Sequence, residues 1–140
     1  MTDRHHPLVA VLETVTPACC PGRINVHCHT TSSDGSLRPE ALAEQALAIG
    51  LEHLAVTDHH STAAFLPIQR WFEQQSEAGS SPPQLWTGME ISCLLEGCLV
   101  HVLALGFELD HAALDPYRQG QAAVGEALTA AEARRRIHAA

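Results

Sequence analysis

Between residues 23 and 107 the apolar pattern switches repeatedly from a period of two to a helical period. Arg23-Ile24-Asn25-Val26-His27 alternates and reads as a strand running into a polar loop from Thr30 to Leu37. Arg38-Pro39-Glu40 opens a helix with Pro in a first-turn position, and Leu42, Ala46 and Ile49 supply its apolar stripe. Gly50 closes that helix, and Leu51 is the apolar residue expected just beyond such a cap. Leu54-Ala55-Val56 is a short buried strand ending in Thr57-Asp58-His59-His60, followed by a helix from about Thr62 to Glu77 with a distortion near Pro67. After the loop Gly79-Ser80-Ser81-Pro82-Pro83 come a third strand, Leu85 to Ile91, and a fourth, Val100 to Leu105. Glu96-Gly97 between them suits a hairpin turn, although pairing of either strand elsewhere fits the spacing equally. An Ala- and Arg-rich stretch from about 121 to 138 predicts a helix. Residues 1–20 read as an N-terminal extension ahead of a domain over 21–140, with His5 and His6 in a mobile terminus.

Strand–helix alternation of this kind argues for an α/β fold with a parallel sheet or barrel of βα units. Loops at the C-terminal ends of such strands gather into one site. His27 and His29 end the first strand, His59 ends the second and Glu90 lies late in the third. His101 lies early in its strand, so it reaches the same end only if that strand runs antiparallel to the third.

Composition narrows the class. The chain has 140 residues, 46% apolar and 17% charged, enough for one domain with a core. A net charge of −8 argues against a nucleic-acid polymer as partner, because such binding needs basic patches. An anionic small substrate is still compatible, since bound divalent ions reverse the local field. No apolar run reaches a membrane span and no secretion signal is evident, so a cytoplasmic location is expected. The five cysteines, at 19, 20, 28, 93 and 98, include no C-x-x-C pair and read as ordinary reduced residues.

The candidate chemistry lies in His27, His29, Asp34, His59, Glu90 and His101. Side chains two apart on a strand share a face, which sets His27 beside His29 and turns Cys28 away. Mixed imidazole and carboxylate donors without thiolate suit zinc, manganese or iron. Six donors exceed the needs of one zinc ion, so two or more metals are expected, with Glu90 able to bridge. Such a cluster hydrolyses phosphate esters by binding a phosphoryl oxygen, generating hydroxide near neutral pH and stabilising the leaving oxygen.

Asn25-Val26-His27-Cys28-His29-Thr30 with Ser33-Asp34-Gly35 resembles the opening motif of the PHP (polymerase and histidinol phosphatase) family. Ala55-Val56-Thr57-Asp58-His59 resembles its second motif. Gly88-Met89-Glu90-Ile91-Ser92 followed by His101-Val102-Leu103-Ala104-Leu105-Gly106 is similar to its third. The resemblance covers roughly residues 23 to 107 and implies a distorted (β/α)7 barrel with a trinuclear metal site. It implies that His27 and His29 hold a first metal, Asp34 and His59 a second, that Glu90 bridges, and that His101 holds the third. Asp58 becomes an outer residue orienting a neighbour. Asn25 stands where the family usually has Asp, implying a retuned surrounding shell. The family's later His-Pro and Asp-x-His segments have no counterpart after residue 107, so the chain reads as the front half of such a barrel, apparently truncated at its C-terminus.

Two functions follow as expectations. The first is a metal-dependent phosphoesterase hydrolysing a small phosphorylated metabolite or nucleotide, with two or three Zn, Mn or Fe ions in a complete site. The second is a truncated, non-catalytic module that binds metal partially or needs a partner segment, with self-association through open sheet edges. Elsewhere, blander readings are favoured. His53 reads as a surface histidine, His60 as a neighbour of the site, Arg134-Arg135-Arg136 as a solvated face, and Arg23, Arg38 and Arg118 as structural.

Overall fold

The computed structural model describes residues 6–19, 22–117 and 128–129. Of the expected helix over 121–138 only Leu128 and Thr129 are described, and they form a strand instead; Arg134-Arg135-Arg136, His5, Cys20 and Arg118 lie outside the described residues.

Three short parallel strands form one sheet in the order β1 (Ile24–Asn25), β2 (His53–Ala55), β3 (Gln84–Trp86). Helix α2 (Pro39–Ala48) joins the first two strands and α3 (Phe65–Glu77) joins the second and third. Pro39 occupies the first helical positions of α2 and Gly50 follows it at φ 70°, a conformation glycine adopts without a Cβ penalty. Ala43 and Ala46 of α2, Ile68 and Phe72 of α3, and Leu51, Leu54 and Val56 close into one apolar core. Ile49, expected in the stripe of α2, is instead 60% exposed, because it caps the helix and Leu51 turns inward in its place.

Helix α3 starts at Phe65, later than the expected Thr62. Pro67 explains this: it has no N–H to donate back to residue 63, but in a first turn that donor has no partner anyway. The proline therefore sets the start of α3 rather than distorting it.

The predicted third strand runs on without changing register. The same offset of 31 residues relates His53 to Gln84 in the β2–β3 pair and His59 to Glu90 in an isolated parallel bridge. Beyond Thr87 it becomes β4 (Gly88–Leu95), which pairs antiparallel with β5 (Cys98–Leu105), so Glu96-Gly97 is a hairpin turn. On its other edge β4 pairs in parallel with β6 (Leu128–Thr129). A Cβ at Gly88 would lie 2.5 Å from the Val56 carbonyl oxygen, so glycine permits the close approach there. Met89, Ile91 and Cys93 of β4, Ala104 of β5, Phe107 and Leu114 form the second core.

The N-terminal extension contains a helix, α1 (Pro7–Glu13), with Leu8 buried. His6, expected in a mobile terminus, makes two contacts with the fold. Its ring Nδ1 accepts from the Leu8 N–H at 3.2 Å and its ring packs on Trp86. Among the described residues no helix is long and apolar enough to cross a membrane.

Candidate metal centre

Beyond β1 the chain stays beside the second strand as far as Cys28, whose carbonyl accepts from the Thr57 N–H at 2.8 Å, and then turns into the loop that carries Asp34. His27 and His29 project together, with ring centroids 5.4 Å apart, while Cys28 faces the other way and packs against the core of α2 and α3. Burial pushes the Cys28 thiol up to about 12, with the Asp58 charge adding to the effect.

The loop turns tightly because Gly35 sits against the backbone of His29 and Thr30, where a Cβ would lie 2.6 Å from the Thr30 nitrogen. Its anchor is Asp58, 1% exposed. Asp58 Oδ1 accepts from the Thr30 N–H at 2.7 Å and the Ser33 hydroxyl at 2.6 Å, and Oδ2 accepts from the Thr30 hydroxyl at 2.7 Å. Asn25 Oδ1 accepts from the His27 N–H at 3.2 Å.

Glu90 forms the floor of a shallow cup, with its side chain 5% exposed. Its Oε2 lies 3.0 Å from His27 Nε2, 3.0 Å from His29 Nε2 and 3.8 Å from His59 Nε2, while Oε1 lies 2.5 Å from His101 Nδ1. The antiparallel hairpin is what brings His101 here. It sits opposite Ser92, two residue pairs from the Glu90–Leu103 pair, so the expected condition on strand direction is met. Asp34 closes the other side, with its oxygens 3.1 Å from His29 Nδ1 and 3.6 Å from His59 Nε2. His27 and His101 make the exposed rim.

The six sequence-predicted donors thus fall into three overlapping groups: His27, His29 and Glu90; His29, Asp34 and His59; His59, Glu90 and His101. Within each group one donor atom per residue lies within 4.8 Å of the others. The grouping differs in one respect from the expected assignment, since His29 and His59 are each shared between two groups.

The donor chemistry fits a cation. His29 faces a carboxylate with both ring nitrogens, yet a neutral imidazole has only one N–H to give. Its Nδ1, although 3.1 Å from Asp34 Oδ1, is off-line for a hydrogen bond, and both it and His59 Nδ1 are buried without a hydrogen-bond partner. Protonating every ring is no remedy. Centroids 4.8 Å apart for His29–His59 and 5.0 Å for His59–His101 would set imidazolium charges against each other at about 3 kcal/mol per pair, at an effective dielectric near 20. Burial raises the Glu90 carboxyl, but hydrogen bonds from His27 and His101 and the nearby His59 outweigh it and hold the group below its ordinary value. A carboxylate floor among imidazoles, two of whose nitrogens are buried without a partner, suits a bound cation.

Sequence reading singled out no role for Thr30 or Ser33 and gave His60 the blander of two readings. His60 adopts φ 51°, its N–H donates to the Glu90 carbonyl at 2.9 Å, and its Nε2 accepts from the Ser92 N–H at 3.3 Å. It clamps β4 beside the isolated parallel bridge between His59 and Glu90. The available signal was its place directly after His59.

Fold and donor set together define a mixed α/β domain whose strand ends gather a histidine–carboxylate cluster. The PHP domain family matches residues 25–132, and the chain belongs to that family. It is similar to the 5′-3′ exoribonuclease Rnm of Escherichia coli K12, with 39% identity over 87 residues, covering 62% of this chain and 28% of that protein. It also resembles the phosphoribosyl 1,2-cyclic phosphate 1,2-diphosphodiesterase of Eggerthella lenta, with 36% identity over 86 residues, covering 60% of this chain and 30% of that one. Among solved structures, one from Bifidobacterium adolescentis described as a metal-dependent phosphoesterase aligns with a TM-score of 0.56 and 32% identity. That alignment covers 64% of this chain and 29% of the other. The chain therefore spans less than a third of the length of each of these proteins.

Proposed function

We propose that this chain supplies the metal-holding part of a phosphoesterase that hydrolyses an ester of a phosphorylated metabolite or nucleotide. The observation that carries this reading is the set of three donor groups sharing His29, His59 and Glu90. Zinc, manganese or iron fits the imidazole and carboxylate donors, and two or three ions suit the number of groups. Bound there, such ions would polarise a phosphoryl oxygen, activate water and stabilise the leaving oxygen.

The residues themselves have separable tasks. Glu90, buried between two donor groups, fixes the spacing of the centre. Asp34, with its side chain 58% exposed, brings negative charge to the open side. His27 and His101 border the opening through which a phosphate would enter. The Asp58 carboxylate holds the loop behind them.

The names of the relatives support a ribose-linked phosphodiester as the bond cleaved. The Escherichia coli protein is named as a nuclease of RNA and the Eggerthella protein as a phosphodiesterase of a cyclic ribosyl phosphate. Against a long RNA stands the net charge of −8, which favours a mononucleotide or a short 5′ end engaged through the metals alone. A second reading is a module that holds metal without turnover.

The test is metal analysis and hydrolysis of a generic phosphodiester and a short oligoribonucleotide, with wild type beside the double substitution H27A/H29A. The phosphoesterase reading expects bound divalent metal and turnover in wild type and loss of both in the variant. Metal without turnover favours the second reading, and unchanged metal content in the double variant refutes the assignment of the site.

A further inference from the structure

Asp34 lies at the far end of the Thr30–Gly35 loop, and its carboxylate reaches the centre from an exposed position. Its placement is inherited from the loop, so whatever fixes the loop fixes this donor. We propose that Ser33 is a positioning residue for the donor group of His29, Asp34 and His59, an inference that rests on the metal-centre reading above.

One proton decides which carboxylate the Ser33 hydroxyl serves. Ser33 Oγ lies 2.6 Å from Asp58 Oδ1 and 3.4 Å from Asp34 Oδ1. A hydroxyl has a single O–H to donate, and the short contact to the buried carboxylate takes it. Towards Asp34 the serine presents lone pairs. The hydroxyl therefore pins the far end of the loop to Asp58 and leaves the charge of its neighbour unspent. The near end is secured separately, since both the N–H and hydroxyl of Thr30 donate to Asp58. Removing the Ser33 hydroxyl should therefore loosen the Asp34 end, leaving it only the backbone bonds from the Ser33 and Gly35 N–H groups to the Thr30 carbonyl, at 3.1 and 2.9 Å, while Thr30 stays fastened to Asp58.

The consequence is selective. The other two donor groups, His27 with His29 and Glu90, and His59 with Glu90 and His101, contain no residue of the loop between Thr31 and Gly35. A general loss of structure would weaken all three groups alike. Loss of the Ser33 tie should weaken one.

Metal-stripped protein titrated with cobalt(II), followed by calorimetry and visible absorption, separates these cases. Wild type, S33A, S33T and D34N are compared, with urea unfolding of each metal-free protein alongside. In S33A one class of cobalt site, the same one that D34N removes, is expected to weaken about 10–100-fold, the usual effect of losing a residue that orients a ligand. The other classes and the urea midpoint are expected to stay close to wild type, and S33T, which keeps the hydroxyl, to restore binding. An S33A isotherm superimposable on wild type overturns the proposal, as does a uniform weakening of every class that S33T leaves uncorrected. Wild-type protein that binds no cobalt overturns the metal-centre reading itself, and this inference with it.

Discussion

Replacing Asp58 by Asn keeps the shape of the side chain and removes its charge, at a position where both matter. The carboxylate accepts three hydrogen bonds of 2.6–2.7 Å while 1% exposed. Hydrogen bonds to a charged group contribute about 1.5–3 kcal/mol and neutral ones about 0.5–1.5 kcal/mol. An amide oxygen in the Oδ1 position would keep the bonds from the Thr30 N–H and Ser33 hydroxyl, each weaker by about 1 kcal/mol on that scale. Its NH2 would face the Thr30 hydroxyl, which must then rotate and give up its own donation. The smaller desolvation cost of a neutral amide offsets part of this, leaving a net destabilisation of about 2 kcal/mol, within the usual range for such a change. Asp58→Ala strands three donors and should cost about 4 kcal/mol on the same reasoning. The assay is urea unfolding of metal-free protein, with an unchanged slope, paired with hydrogen exchange at the Thr30 amide. An Asn variant within 0.5 kcal/mol of wild type, a limit set by ordinary surface substitutions, with Thr30 exchange unaltered, would refute the idea that Asp58 anchors the loop.

Other expectations follow from single contacts. Gly35→Ala places a methyl against the backbone of His29 and Thr30, so it should lower stability by about 1–3 kcal/mol and weaken cobalt binding, both measurable in the same titrations. Burial first, then neighbouring His59 and His101, hold the His60 ring below its ordinary 6.5. Because the unfolded histidine takes up a proton more readily than the folded one, the stability due to neutral His60 is complete above about pH 6.5 and declines as pH falls towards the folded value. Urea midpoints of metal-free protein between pH 8 and pH 5 should show that decline, and H60A should flatten it. In thiol labelling at neutral pH, followed by peptide mass spectrometry, exposed Cys98 should react well before Cys28, which burial holds up to about 12, and before buried Cys93.

Much of the layout was legible in the residues because local chemistry dictates it. His27 and His29 share a face for the period-two reason, and Pro39 and Gly50 bracket α2 as their backbone preferences require. The direction of β5 was not legible. A Glu-Gly turn suits a hairpin, but only the pairing of Ser92 with His101 shows that the strand returns to bring its histidine to the site. The anchoring role of Ser33 was also hidden. Serine in a polar loop looks like solvated chain, and its importance arises from a buried carboxylate 25 residues away, a separation no periodicity reports. Ile49 misled for the opposite reason, since it continues an apolar stripe past the point where the helix turns away.

Crystals grown with zinc(II), with anomalous difference maps recorded at the zinc edge, show whether the described donors form one metal centre. Two or three peaks are expected inside the cup, bordered by His27, His29, Asp34, His59, Glu90 and His101, each about 2.0–2.2 Å from ring nitrogens or carboxylate oxygens. A map with zinc elsewhere on the protein and none among these six residues would contradict it.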